Sequence, residues 1–267
     1  MYSDNMPELK ISIVSICYNN AGEIRRTLES VVNQDYPHIE YIVVDGLSTD
    51  GSLEIIGEYR DRIATLISEP DKNLYDAINK GIARATGDVV GLIHAGDRLF
   101  NNQVVGKIAD HFQQNEIDAM YGHSLLVNDG DVPIRVNKSP AYRRSLVKRG
   151  WMPSHQSIYI RREQLERIGL YNLELHPSSD YEFFLRYFYF NRLRIKRLDE
   201  FILRFSMGGI STRNYLNNIR SQDQQMQGWV LNGERPPFYL VPLKLARKPR
   251  QFMLAALYRL TGKYKRL

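Results

Sequence analysis

The stretch EYIVVDGLSTDGS, Glu40 to Ser52, changes character at a single residue: an apolar, β-branched run ends at Asp45 and small polar residues follow. A run of that length bounded by turn residues predicts a buried strand that carries a carboxylate to the edge of a sheet. The pattern recurs along the chain. Ile11 to Cys17 is stopped by Tyr18, Asn19 and Asn20; Thr65 to Ser68 leads to Asp71; Val89 to Ile93 leads through HAGD to Asp97. Between these runs the apolar positions take helical spacing, as Ile24, Leu28, Val31 and Val32 do, and as Leu74, Ile78 and Ile82 do in a helix over Leu74 to Ala85. A further helix begins in STDGSLEIIGEY, with Ser48 or Asp50 as its N-cap. Four strand and helix alternations with short linkers predict right-handed crossovers and a doubly wound, mostly parallel sheet over about the first hundred residues. Ligands of such sheets bind beyond the carboxyl ends of the strands, where Tyr18, Asp45, Asp71 and Asp97 fall.

After Asn102 the pattern changes. A helix to about Asn115, short strand candidates at Ala119 to Tyr121, Ser124 to Val127 and Ile134 to Val136, and an irregular basic segment from Arg143 to Arg149 come first. HQSIYIRR alternates like a half-buried strand and EQLERIG forms a short helix. Asp180 to Asn191 is a helix with Tyr181, Phe184, Leu185 and Phe188 inward; FILRFSMGGIST is a strand and a Gly-Gly turn, and a polar helix follows over about Thr212 to Leu231. This predicts a mixed second half on the same sheet. The division expected is one α/β domain over residues 1–235, with a ligand-binding half (10–100) and a half that holds the other substrate (101–235), then a tail over 236–267.

The 267 residues suit one enlarged core, and 43% hydrophobic content indicates a chain folded throughout. The lone cysteine, Cys17, excludes an intrachain disulfide and a cysteine-based zinc site, and reads as a small buried hydrophobe. The first ten residues lack a signal-peptide core, and no apolar run approaches the ~18 residues of a membrane span. The net charge of +6 lies in the tail: residues 236–267 carry eight basic residues and no acid, which leaves 28 basic against 30 acidic residues before them. A cytoplasmic protein held at an anionic membrane face by a basic amphipathic helix is the expectation, against a helix docked on its own body. No recognition motif for nucleic acid appears.

Each candidate residue has two readings. Asp45 is either a turn aspartate or an acceptor for a nucleobase or ribose. The turn after the first strand, CYNNAG, is not Gly-x-Gly-x-x-Gly, and no Gly-Lys-Ser/Thr loop is present, which argues against nicotinamide enzymes and P-loop ATPases. Asp97 is placed to hold magnesium or manganese together with substrate phosphates. His94 reads as a packed or a site-lining histidine, His155 as structural or site-lining. Asp180 is a general base or a helix cap; Glu182, about 200° around a helix from it, cannot pair with it and reads as site-lining or as a structural contact.

Taken together, ISIVSICYNN, VVDGLSTDGS, EPDKNLYDAINKGIARATGDVVGLIHAGD and SSDYEFFLR resemble the inverting family 2 glycosyltransferases with the GT-A fold, particularly bacterial enzymes of exopolysaccharide and lipopolysaccharide assembly. The resemblance spans about Lys10 to Thr212. It implies a nucleotide-diphospho-sugar donor and a saccharide or lipid-linked saccharide acceptor. It implies that Asp45 binds the nucleoside beside Cys17, Tyr18 and Asn19, and that Asp71 and Lys72 flank the donor. Asp97 would be the metal-binding member of an Asp-x-Asp motif next to Ala95 and Gly96, and Asp180 the base. Two positions depart from the pattern: Ala95 replaces the first aspartate, and Asn73 stands where many relatives have Gly, tolerated because Asn visits the left-handed region. Ala95 motivates an alternative, a non-catalytic nucleotide-sugar-binding scaffold. A nucleotidyltransferase is a third reading, weakened by the lack of a Gly-rich triphosphate loop.

Overall fold

The structure, a computed structural model, describes residues 8–128, 130–206, 215–246 and 248–262. Its first half alternates as expected: β1 (Ile11–Cys17), α1 (Ala21–Val32), β2 (Ile39–Asp45), α2 (Ser52–Gly57), β3 (Thr65–Ser68), α3 (Leu74–Arg84) and β4 (Val89–Leu92). β1 pairs in parallel with β2 and β4, and β2 with β3, in a register that sets Cys17 opposite Asp45 and Asp45 opposite Ser68. Three strands therefore end level. The second half adds β5 (Arg98–Leu99), α4 (Val104–Gln113), β6 (Ala119–Val127), β7 (Pro133–Asn137), α5 (Arg144–Lys148), β8 (Ile158–Arg161), α6 (Arg162–Ile168), α7 (Ser179–Phe184), β9 (Ile195–Ser206), α8 (Tyr215–Leu231), α9 (Leu240–Leu245) and α10 (Lys248–Leu260). The nine strands form one sheet in the order β3-β2-β1-β4-β8-β6-β9-β5, with β7 on β6.

The alternation of side chains along each strand sorts the core into two layers. Ile11, Ile13, Tyr41 and Val43 pack with Ile24 and Leu28 of α1 and Ile108 and Phe112 of α4. Val14, Ile16, Ile42 and Val44 pack with Ile78 and Ile82 of α3 and Phe184 of α7. α3 lies so close to the sheet that a Cβ on Gly81 would stand 2.2 Å from Val14 Cγ1, which is why that helix position carries no side chain. At the end of the sheet remote from the carboxyl ends, Glu40 accepts from Lys10 Nζ (2.7 Å), Ser12 Oγ (2.5 Å) and the Thr86 N–H (2.7 Å). These donors hold its carboxyl near 2 despite burial.

Several expectations are revised. α2 is preceded by Gly51 at φ +94, not capped by Ser48 or Asp50; Asp50 instead accepts from Ser52 N (3.0 Å) and from Ala21 N (2.9 Å), tying α2 to the start of α1. The two strand candidates before residue 128 are one strand, β6. The basic segment contains the helix α5, and β5 has no sequence counterpart because two residues carry no periodicity. The helix after Asp180 loosens into a π-helical turn, Leu185–Phe190. β9 begins at Ile195, six residues before the expected start. The Gly-Gly turn at Gly208 and Gly209 and the helix start at Thr212 lie outside the described residues. In the tail, α10 packs on the body: Ala255 is buried and Tyr258 meets the Phe201 ring edge-on at 6.4 Å.

Candidate active site

The level ends of β1, β2 and β3 build the first wall. Asp45 is fully buried; its Oδ2 accepts from Ser48 N (3.0 Å) and Ser68 Oγ (2.9 Å), whereas Oδ1 is a buried acceptor without a partner among the described residues. A buried carboxylate oxygen costs free energy unless a donor reaches it, so this atom has the chemistry of a ligand contact. The chain then turns through Leu47 at φ +63, 52% exposed, a conformation that is uncommon for a bulky residue and collects at functional loops. Across from it Asn19 also has positive φ, at 46°, held by its Oδ1 accepting from Thr49 N (2.8 Å) and its N–H donating to Ser48 Oγ (2.9 Å). Tyr18 projects from this rim, 69% exposed. Cys17 is buried, and burial raises its thiol to about 11, so it is an apolar wall.

Asp71 converges on the same place. A Cβ on Gly46 would lie 2.9 Å from Asp71 Oδ2 and 3.2 Å from Tyr18 Cδ2, so the glycine lets the three segments close. Asp71 Oδ1 accepts from Lys80 Nζ (2.7 Å), and Lys80 also reaches Glu69 (3.0 Å) and Asp76 (3.5 Å). Lys80 was not singled out from sequence because a lysine on a helix face reads as solvated. Lys72 is exposed, with its backbone N–H on Asp76 (3.0 Å). Asn73 is extended, at φ −169, so the left-handed rationale does not apply. It caps α3, its Oδ1 accepting from Tyr75 N (2.9 Å) and Asp76 N (3.2 Å), and its Nδ2 donates to Leu173 O (3.1 Å).

The third wall follows β4. Ala95 N–H bonds Ile16 O (3.0 Å), Asn20 Nδ2 bonds Ala95 O (3.0 Å), and Gly96, at φ +96, donates to Thr27 Oγ1 (3.0 Å). Asp97 follows. Its Oδ2 accepts from Gln156 Nε2 (2.6 Å) and its Oδ1 from Ser206 N (3.2 Å), and burial raises its carboxyl to about 7. Asp180 stands in the first turn of α7. Tyr75 OH approaches Asp180 Oδ1 at 3.2 Å, and His155 Nδ1 stands 3.6 Å from Oδ2. His155 Nε2 is 3.0 Å from His94 Nε2, and burial lowers the pKa of both rings. Contacts join the expected residues in two groups, Tyr18, Asp45 and Asp71 around Gly46, and His94, Asp97, His155 and Asp180 around the turn that carries His155 and Gln156; Glu182 belongs to neither. Glu182 turns away: it is buried in an ion pair with Arg186 (2.8 Å) and accepts from Asn232 (3.1 Å), so it does not line the site. Arg186 also donates to the carbonyls of Ile168 (2.8 Å), Gly169 (3.0 Å) and Leu170 (2.6 Å), fixing the helix that carries Asp180.

Asp97 is the residue to consider for a divalent cation. Among the described residues no three ligating side chains converge, and Ala95 contributes none. A half-buried carboxylate raised to about 7 is, however, short of positive charge: among the described residues Arg98 is the cation acting on it. A hard carboxylate oxygen of this kind fits magnesium or manganese, and Asp97 is the residue that would hold such an ion together with substrate phosphates.

Residues 12–207 match the family model described as Glycosyl transferase family 2. An uncharacterized glycosyltransferase, MT1564 of Mycobacterium tuberculosis, is 30% identical over 178 residues, 66% of this chain and 68% of that protein. Among solved structures, S. aureus TarS 1-349 in complex with UDP-GlcNAc superposes with a TM-score of 0.66 at 20% identity, over 92% of this chain and 79% of that one. The mannosyltransferase PcManGT of Pyrobaculum calidifontis, in complex with GDP-Man and Mn2+, gives 0.63 at 18% identity, over 96% and 76%. At these identities the two structures speak for the fold.

Proposed function

The chain belongs to glycosyl transferase family 2 and has the GT-A fold, and from that premise we propose that it transfers a sugar, with inversion, from a nucleotide-diphospho-sugar to an acceptor hydroxyl. The observation that carries the reading is the buried Asp45 Oδ1 beyond the end of β2, without a hydrogen-bond partner among the described residues; Asp180, which Tyr75 OH approaches at 3.2 Å, supports it as a second carboxylate. Asp45 receives the N–H or O–H groups of the nucleoside, with Tyr18 and Asp71 at its sides. Asp180 takes the proton of the acceptor hydroxyl: the acceptor O–H breaks as the carboxyl O–H forms, the acceptor oxygen bonds to the anomeric carbon, and the bond to the phosphate oxygen breaks with its electrons leaving on the nucleoside diphosphate. Asp97 would hold a magnesium or manganese ion at the diphosphate. When bound, such an ion supplies electrostatic stabilisation of charge on the leaving group. Bacterial surface polysaccharide synthesis, with a lipid-linked saccharide as acceptor, is the setting that the four motifs resemble.

Asp180→Asn tests the assignment: donor affinity should stay at its wild-type value while transfer falls on the order of 10²- to 10⁴-fold. Transfer at the wild-type rate would remove Asp180 from the base position. The lone carboxylate at Asp97 favours a second reading, a non-catalytic nucleotide-sugar scaffold. Cation-dependent transfer by the purified protein excludes it.

A membrane-facing side completes the proposal. Met253, Leu257 and Leu260 of α10 are 71%, 52% and 87% exposed and fall on one helix face, beside exposed Arg250 and Arg259. No helix among the described residues is long and apolar enough to cross a membrane, and this stripe suits shallow contact with anionic lipid. Replacing the three apolar residues by Ser should abolish co-sedimentation with anionic vesicles; unchanged sedimentation would refute the contact.

A further inference from the structure

Two neighbouring side chains of one 3-10 turn, His155–Ser157, reach the two carboxylates placed at opposite ends of the chemistry. His155 Nδ1 faces Asp180 Oδ2 at 3.6 Å, and Gln156 Nε2 donates to Asp97 Oδ2 at 2.6 Å. The orientation of the Gln156 amide is determined. Its Oε1 accepts the backbone N–H of His94 at 2.8 Å, so its NH₂ must face Asp97.

The proton positions on the two histidines follow from the same bookkeeping of donors and acceptors. A nitrogen opposite a carboxylate is favourable as N–H and repulsive as a lone pair, which assigns the His155 proton to Nδ1. His155 Nε2 is then an acceptor, and the 3.0 Å contact with His94 Nε2 requires the proton there to belong to His94. His94 Nδ1 is left bare, and it is this nitrogen that is buried without a partner among the described residues. An orphaned acceptor is better tolerated in a protein interior than an orphaned N–H. The reverse assignment would set two lone-pair atoms face to face at Asp180 and bury an N–H of His94 against nothing. The Tyr75 hydroxyl has a single proton and a closer acceptor in Pro177 O (2.8 Å) than in Asp180 Oδ1 (3.2 Å). His155 is therefore the principal N–H apposed to Asp180.

We propose that the His155–Gln156 turn is a positioning element that fixes Asp180 and Asp97 relative to each other, with His94 locking the tautomer of His155. The proposal rests on the assignment of Asp180 as base and Asp97 as the carboxylate of the diphosphate end. At 3.6 Å the His155 contact is longer than a hydrogen bond and closes as the acceptor docks, a tightening common at catalytic groups. His155 does not take the acceptor proton, since the nitrogen facing Asp180 already carries one. It selects the carboxylate orientation that does.

Long-range ¹H–¹⁵N correlation spectra of the labelled full chain at neutral pH read the tautomers directly, with His155→Asn and His94→Gln supplying the assignments. The expected result is neutral Nδ1–H on His155 and neutral Nε2–H on His94; Nε2–H on His155, or a charged ring, overturns the proposal. Steady-state kinetics add a second readout. His155→Asn keeps an N–H where Nδ1 was and should stay within about threefold of wild-type kcat, whereas His155→Leu should lose on the order of 10- to 100-fold in kcat at unchanged donor KM. Equal rates for Asn and Leu would overturn it. Should Asp180→Asn prove active, the base assignment fails while the spectra still decide the tautomers.

Discussion

Asp97→Asn should stabilise the metal-free protein at alkaline pH and destabilise it in acid, so that the two stability profiles cross. Burial raises the Asp97 carboxyl from 3.8 to about 7. The folded state therefore binds this proton more tightly than the unfolded chain does. The stability tied to it is fully present below 3.8 and is lost as pH rises towards 7. At ~1.4 kcal/mol per tenfold change in the protonation equilibrium, the full loss is about 4 kcal/mol by pH 8. Asn cannot ionise and escapes that loss. It pays elsewhere: its Oδ1 can still accept from Gln156 Nε2, but its NH₂ then faces the Ser206 N–H that now donates to Asp97 Oδ1. An unsatisfied buried N–H costs about 1–3 kcal/mol. The variant should accordingly be less stable by about that amount near pH 4 and more stable by about 1–3 kcal/mol at pH 8, with the crossing near pH 5–6. Urea denaturation in EDTA across pH 4–8 measures both curves. Parallel curves would show that the Asp97 carboxyl is not held above its ordinary range, and the case for a cation there would lose its electrostatic basis.

Glu40→Gln should remove an acid-dependent contribution. The Glu40 carboxyl lies at about 2 rather than 4.5, so its stabilisation is present above 4.5 and lost as pH falls through 2; the wild type should be more stable than the variant by about 3 kcal/mol at pH 6, a gap that closes by pH 2, followed by urea denaturation. Gly46→Ala places a Cβ 2.9 Å from Asp71 Oδ2 and should raise donor KM severalfold with little change in kcat, read in a transfer assay titrated with donor. Equal KM values would show that the crevice has room to spare at Gly46.

The parallel half of the sheet was legible because each of its strands is a short apolar run closed by polar turn residues, as Ile42 to Asp45 shows, and because short linkers leave few topologies. The second half was not. β6 pairs with β8, β7 and β9, and β9 begins with exposed and half-buried residues such as Lys196 and Arg197, whose pairing partners Met120 and Tyr121 lie far back in the chain. Within the site, aspartates that follow apolar strands announced themselves, and two of them, Asp45 and Asp71, meet at Gly46. Gln156 did not, because a glutamine carries no periodic or charge signature, and its role exists only through His94 and Asp97, both about 60 residues away. His155 was seen as a candidate, but its partners were not. Glu182 was offered as site-lining on its proximity to Asp180; the i,i+4 spacing to Arg186 was the signal that should have claimed it for the helix.

The level ending of β1, β2 and β3 bears on how this chain can diverge. The position of Asp45 is written into a hydrogen-bonded ladder, with Cys17 and Ser68 beside it, rather than into a loop. Insertions and deletions in the connections beyond these strands can reshape what the crevice accepts without moving that carboxylate. A one-residue insertion inside Ile39–Asp45 is different in kind: it reverses which side of the sheet every following side chain meets, and turns the carboxylate out of its seat beside Ser68 and Ser48. Descendants of this sequence are free to change partners through their loops, while the anchoring acid is inherited with the strand.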